Sequence, residues 1–207
     1  MLLVLGTVAY AGQVGLLKTG QDLMTEKPTN PNTQTAIFAG GCFWCLESEF
    51  RALDGVLFTE SGYIGGTTKN PTYEDVTTGT THHAEAIRIT YDPQKISYQT
   101  LLDHFLRKAH DPTQLNRQGV DKGTQYRSAI FYGNDTEHKA AQDTIARINA
   151  EKIYKDPIIT TLEAGEPKNP FWVAETYHQQ YYEKYKEKTG NDHVRVIYKK
   201  MHKIIEK

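Results

Sequence analysis

The chain contains two cysteines, three positions apart in Gly40-Gly41-Cys42-Phe43-Trp44-Cys45. The first follows a short apolar run and a glycine pair, and it opens a segment with helical spacing, which puts it at a helix N-terminus. Backbone N–H groups and the helix dipole favour negative charge there, and the thiolate is the nucleophilic form of cysteine. Cys42 is therefore the candidate nucleophile, with its thiolate favoured. Cys45 lies one helical turn on and shares a face with Cys42. A disulfide between them is sterically conceivable, and an ordinary packing role for Cys45 fits the spacing equally well. A second signal lies in the run Ala84 to Tyr91, which alternates as a strand with Glu85, Ile87, Ile89 and Tyr91 on one face. A carboxyl on a buried strand face must be paired or held protonated, and a neutral acid near a thiolate suits a reaction that needs a proton donor. Two cysteines and the pair His82-His83 could also suggest zinc, but adjacent histidines in a strand point to opposite faces. His83 reads better as a hydrogen-bonding support. Spacing alone does not single out Tyr73 or Tyr126 among 13 tyrosines.

The elements that must carry these groups follow from periodicity and punctuation. Residues 35–39 form a short strand. From Cys42 the apolar positions Phe43, Leu46, Phe50 and Leu53 recur at helical spacing until Asp54-Gly55. Residues 56–63 are a second strand, and 67–81 a polar loop of the length that tends to carry function. After the Glu85 strand, Ser97 caps a helix to about Ala109 with Leu101, Leu102, Phe105 and Leu106 inward, closed by Asp111-Pro112. Residues 114–124 read as a second polar loop. Residues 125–132 read as a strand with Tyr126, Ser128, Ile130 and Tyr132 on one face. Asn134-Asp135-Thr136 opens a helix to about Asn149, 158–163 is a strand, and 174–188, with four tyrosines, is a helix. Strands alternate with helices without a repeat, which indicates one sheet with helices packed on it, α/β or α+β.

At 207 residues, 38% of them hydrophobic, with a net charge of −1 and a mean hydropathy of −0.60, the chain makes one globular domain with tails. It has no overall charge that would draw it to nucleic acid or an anionic membrane, no apolar run long enough to span a bilayer, and enough length to build a core without disulfides. The charge is uneven: residues 179–207 carry a net +4, leaving −5 for the remainder, and a solvated basic tail is the favoured reading. Residues 2–11 are a short apolar stretch ending in an Ala-x-Ala pattern, as at a signal-peptidase site, but no basic residue precedes Lys18. Export and a cytoplasmic location stand level. Residues 12–34 read as a linker, the domain as 35–182, and 183–207 as a basic extension.

Six segments in order carry a resemblance: Gly41-Cys42-Phe43-Trp44, Asn70-Pro71-Thr72-Tyr73, His83-Ala84-Glu85-Ala86, Tyr91-Asp92-Pro93, His110-Asp111-Pro112 and Gly123-Thr124-Gln125-Tyr126-Arg127-Ser128, with His178-Gln179-Gln180-Tyr181 following. Together they resemble the A-type peptide methionine sulfoxide reductases over residues 35–182. The resemblance implies a two-layer α+β sandwich, related to the ferredoxin-like fold, with a central mixed sheet. It implies reduction of methionine S-sulfoxide, free or in oxidised proteins, by a monomer with no metal and no organic cofactor. Carried over residue by residue, Cys42 attacks the sulfoxide sulfur, Glu85 protonates the departing oxygen, and Tyr73 and Tyr126 hydrogen-bond that oxygen. Phe43 and Trp44 form the wall for the substrate methyl, and Asp121 holds the polar side of the pocket. The product on the enzyme is a Cys42 sulfenic acid, which a second thiol must reduce. Many relatives carry recycling cysteines near the C-terminus; here the chain after His178 has none, and Cys45 stands where many have glycine. Either Cys45 closes a disulfide that thioredoxin reduces, or an external thiol attacks directly. The second is slightly favoured, because a bond within the first helical turn would distort it. Two rivals are a thioredoxin-like dithiol oxidoreductase, since C-x-x-C at a helix start is also that signature, and a non-catalytic module binding oxidised peptides through Phe43 and Trp44.

Overall fold

A computed structural model describes residues 26–191. The apolar stretch at 2–11 and most of the basic extension lie outside the described residues. Eight strands and five α-helices follow one another in it: β1 (Gln34–Gly40), α1 (Phe43–Arg51), β2 (Val56–Ile64), α2 (Tyr73–Thr77), β3 (Ala84–Tyr91), α3 (Tyr98–His104), β4 (Arg117–Gln118), β5 (Asp121–Lys122), β6 (Ser128–Tyr132), α4 (Asp135–Glu151), β7 (Thr161–Ala164), β8 (Trp172–Val173) and α5 (Tyr181–Thr189). Six strands form one sheet in the order β7-β6-β1-β3-β2-β8, and β4 and β5 form a separate hairpin. Only the β6–β7 pair is parallel, so the sheet is mixed.

Alternation along the central strands builds two apolar faces. Phe38, Ile87, Ile89, Tyr91 and Ile130 bury themselves with Phe43, Leu46 and Phe50 of α1, Leu101 and Leu102 of α3, and Ala141 and Ile148 of α4. Opposite lie Ile37, Ala39, Ile64, Ala84, Ala86, Ala129 and Phe131, joined by Phe171 from the chain ahead of β8. Helices thus gather on one face, the two-layer α+β arrangement. Phe38 stands opposite Ile87 in the antiparallel β1–β3 pair, so the chain leaving β1 at Gly40 emerges beside Glu85. That register brings nucleophile and acid to one end of the sheet.

Several elements differ from the sequence reading, each for a local reason. The 67–81 segment holds α2, capped by Thr72 and Asp75 in a reciprocal capping box, a Thr-x-x-Asp pattern that is visible in the sequence. The 114–124 segment holds the β4–β5 hairpin, tied by Gly123 N–H to the Asn116 carbonyl. The strand expected from Gln125 starts at Ser128, because Thr124–Tyr126 close a 3-10 turn, so Tyr126 does not share the strand face assigned to it. The strand at 158–163 is Thr161–Ala164, and the helix expected to reach Ala109 ends in a π-helical turn at Phe105–Ala109. The last helix begins at Tyr181, not Ala174. Ala174 N–H is taken by the Ser61 carbonyl, Gln179 brackets the Ser61 backbone through its side-chain amide, and Gln180 sits in the left-handed region at φ 52, its N–H on Glu47. Those commitments hold residues 174–180 against β2 and α1 in place of a helix.

Candidate active site

The turn between β1 and α1 is built for close approach. Gly41 has φ 90, and a Cβ there would lie 2.6 Å from the Gln118 side chain, so the turn beneath β4 requires glycine. Cys42 follows as the N-cap of α1, with no side-chain capping bond of its own. The acceptor that a first-turn amide needs comes from across the sheet: Phe43 N–H donates to Glu85 Oε2 at 3.2 Å. Glu85 is 1% exposed. Burial, reinforced by the negative charges of Asp121 and Cys45, pushes its carboxyl up to about 8 in spite of the Phe43 bond. At neutral pH it is a buried neutral acid, as its place on the apolar strand face suggests.

The Cys42 thiol is also pushed up, first by its hydrogen bond with Cys45, then by burial and by the charges of Cys45 and Glu85. This corrects the expectation of a favoured thiolate. The hydrogen bond with Cys45 and burial outweigh the helix N-terminus, so the resting group is a thiol. No disulfide joins the two cysteines. Cys45 Sγ also lies 3.0 Å from the Tyr182 hydroxyl on α5.

Tyr73, Tyr126 and Asp121 belong to the same cluster. Burial raises the phenol of Tyr73, with Glu85, Cys42 and Asp121 adding to it; Tyr126 is raised by burial and then by Glu85, Tyr73, Asp121 and Cys42. Both stay protonated donors. Burial raises Asp121 as well. The cluster therefore combines one thiol with three groups that keep an O–H, Glu85, Tyr73 and Tyr126, which suits attack on an electron-poor sulfur whose oxygen must be protonated to leave as water.

The aromatic side is closed by Phe43 and Trp44 together with residues that periodicity did not identify. Phe43 is almost fully buried and packs on Tyr63 and His178, while Trp44 is half-buried and stacks on Tyr181 with ring centroids 3.8 Å apart. The Trp44 indole N–H donates to His178 Nδ1 at 2.9 Å. Glu175 accepts from the Tyr73 backbone N–H at 2.8 Å and from the Tyr63 hydroxyl at 2.9 Å. Behind α1, Glu47 accepts from the Thr59 and Ser61 hydroxyls and from Gln180 N–H, and burial pushes it up to about 7. Nothing in the spacing of Glu47 or His178 distinguishes them from helix-face and turn residues. His83 is the support that was expected: its ring accepts from Gly66 N–H and donates to the Thr68 carbonyl. Among the described residues no group of three or more His, Cys, Asp or Glu could hold a metal ion.

The family model described as peptide methionine sulfoxide reductase matches residues 34–207. The peptide methionine sulfoxide reductase MsrA of Deinococcus radiodurans is 49% identical over 165 residues, covering 77% of this chain and 78% of its own. Among solved structures, reduced Mxr1 from Saccharomyces cerevisiae is similar at a TM-score of 0.71 and 30% identity, covering 84% of this chain and 94% of Mxr1. Mxr1 in complex with Trx2 aligns at a TM-score of 0.52 and 24% identity, over 76% of this chain and 90% of that one.

Proposed function

The chain belongs to the peptide methionine sulfoxide reductase family and performs thiol-dependent reduction of methionine S-sulfoxide, and from that premise we propose that Cys42 and Glu85 are the pair that carries it. The observation that supports this assignment is the buried neutral acid hydrogen-bonded to the amide beside the thiol. The sulfoxide oxygen sits among Glu85, Tyr73 and Tyr126, the methyl group against Phe43 and Trp44, and Asp121 faces the polar side of the substrate. Cys42 loses its proton to solvent and its sulfur attacks the sulfoxide sulfur while Glu85 delivers a proton to the oxygen; with a second proton that oxygen leaves as water, and an S–S bond joins Cys42 to the substrate. Water then attacks the Cys42 sulfur, the S–S bond breaks with its electron pair going to methionine, and Cys42 is left as a sulfenic acid.

Recycling is proposed to run through Cys45. What supports this route is that Cys42 is the cap of α1 and its thiol is hydrogen-bonded to that of Cys45. The Cys45 thiol attacks the sulfenic sulfur, water leaves, and a Cys42–Cys45 disulfide remains for an external dithiol. Thioredoxin is the proposed reductant, as the yeast relative's complex with Trx2 suggests.

Single-turnover reduction of the S and R epimers of a methionine sulfoxide peptide, followed by the mass of the Cys42 peptide, tests both steps. The S epimer should give one methionine per enzyme, with a Cys42–Cys45 disulfide in the wild type and a sulfenic acid in Cys45→Ser. Methionine without the disulfide would remove Cys45 from recycling. No methionine from either epimer would remove the assignment of Cys42 and Glu85.

A further inference from the structure

His178 is 1% exposed and lies within a shell of rings: Tyr177 at 4.1 Å, Tyr73 at 4.6 Å, Phe43 at 4.9 Å and Trp44 at 5.5 Å between centroids. A leucine or phenylalanine would meet those rings without polar atoms to satisfy. The imidazole does one thing they could not. An indole N–H is a donor only, so the bond from Trp44 Nε1 requires an unprotonated Nδ1, which places the His178 proton on Nε2. That Nε2 is buried without a hydrogen bond; the nearest carboxylate oxygen, Glu175 Oε2, is 3.8 Å away and already accepts from Tyr63. The ring therefore leaves one donor unsatisfied while offering one lone pair to the indole.

We propose that His178 is a positioning residue for substrate binding, its Nδ1 lone pair fixing the Trp44 ring in the orientation that lines the sulfoxide pocket. The bond to His178 holds that ring at its edge and the stack on Tyr181 holds it at its face. Stacking restricts tilt but allows in-plane sliding, because dispersion between parallel rings is weakly directional. The hydrogen bond removes that remaining freedom. His178 is held in turn by the backbone bond from its N–H to the Glu175 carbonyl, and Glu175 is anchored on Tyr63 and Tyr73. Its position is therefore independent of Trp44. The inference rests on the reading that Trp44 lines the pocket, and the variants are chosen to separate the two.

The experiment uses the full chain, an S-sulfoxide peptide and dithiothreitol as reductant. Losing one neutral hydrogen bond that orders a binding side chain should raise KM about tenfold in His178→Leu, with kcat changed less than about twofold. His178→Asn returns an acceptor near the Nδ1 position and should keep KM within about threefold of wild type. In a Trp44→Phe background, where no indole N–H remains, adding His178→Leu should change KM by less than about twofold, the signature of coupling through one bond. A readout apart from turnover is the indole N–H resonance, assigned by its loss in Trp44→Phe, which should move in His178→Leu and stay near its place in His178→Asn. If Trp44→Phe leaves KM unchanged, the pocket-lining role of Trp44 is wrong and the inference falls with it. If Trp44→Phe raises KM but His178→Leu does not, or the two effects multiply fully, or His178→Asn behaves as His178→Leu does, the positioning role alone is overturned.

Discussion

Replacing Glu85 with glutamine should cost activity and add stability, and the second effect should depend on pH. The carboxyl is buried and pushed from its ordinary 4.5 up to about 8. A carboxyl with a raised folded-state value keeps its proton in the folded chain and releases it on unfolding. Between pH 4.5 and about 8 the folded state therefore binds more protons than the unfolded one, and stability falls as pH rises. At about 1.4 kcal/mol per pH unit, the loss relative to a group that does not titrate is roughly 3 kcal/mol at pH 7 and roughly 5 above pH 8. Glutamine has the same shape, keeps an oxygen for the Phe43 N–H and does not titrate. Glu85→Gln should match wild type in urea unfolding at pH 4, exceed it by about 3 kcal/mol at pH 7 and by more at pH 9. Its kcat should fall by about 10² to 10⁴ at pH 7, since the oxygen loses its strongest donor. In the wild type, the alkaline limb of kcat should report the titration of Glu85 near 8, a limb absent from the variant. A stability difference that is flat from pH 4 to 9, or glutamine turning over as fast as glutamate, would refute the reasoning that Glu85 is a buried proton donor.

Gly41→Ala combines a left-handed backbone with a Cβ pressed on Gln118, so thermal unfolding should show a loss of about 2 kcal/mol or more, with turnover reduced as Cys42 shifts; an unchanged midpoint would contradict the tight turn. Glu47→Leu strands two buried hydroxyls and the Gln180 N–H, and urea titration should show a loss of about 3 kcal/mol, larger than for most surface acids. Tyr126→Phe removes one O–H donor from the sulfoxide oxygen and should lower kcat/KM about tenfold to a hundredfold with little change in unfolding midpoint, and Tyr73→Phe should do the same. Cys45→Ser should leave single-turnover methionine intact while thioredoxin-driven steady-state turnover falls by at least about tenfold; full turnover would show that an outside thiol reaches Cys42 unaided.

Local chemistry determined much of this protein. A strand, a glycine pair and a cysteine at a helix start are set by residues adjacent in the chain, and the alternation of Glu85 with Ile87, Ile89 and Tyr91 declares a buried carboxyl without reference to anything distant. Ordered motifs then linked these positions to a family and to Tyr73, Tyr126, Asp121, Phe43 and Trp44. What the sequence left open depends on partners far away along the chain. The state of the Cys42 thiol turns on its hydrogen bond with Cys45 and on its burial in the assembled fold, and these oppose the local rule for a helix N-terminus. Residues 174–180 have helical composition, yet hydrogen bonds to Ser61 and Glu47, more than a hundred positions earlier, hold them as turns. His178 and Glu175 acquire their roles only because that segment folds across Trp44, Tyr63 and Tyr73. Periodicity reports which face of an element is buried; only the assembled sheet decides which polar groups meet there.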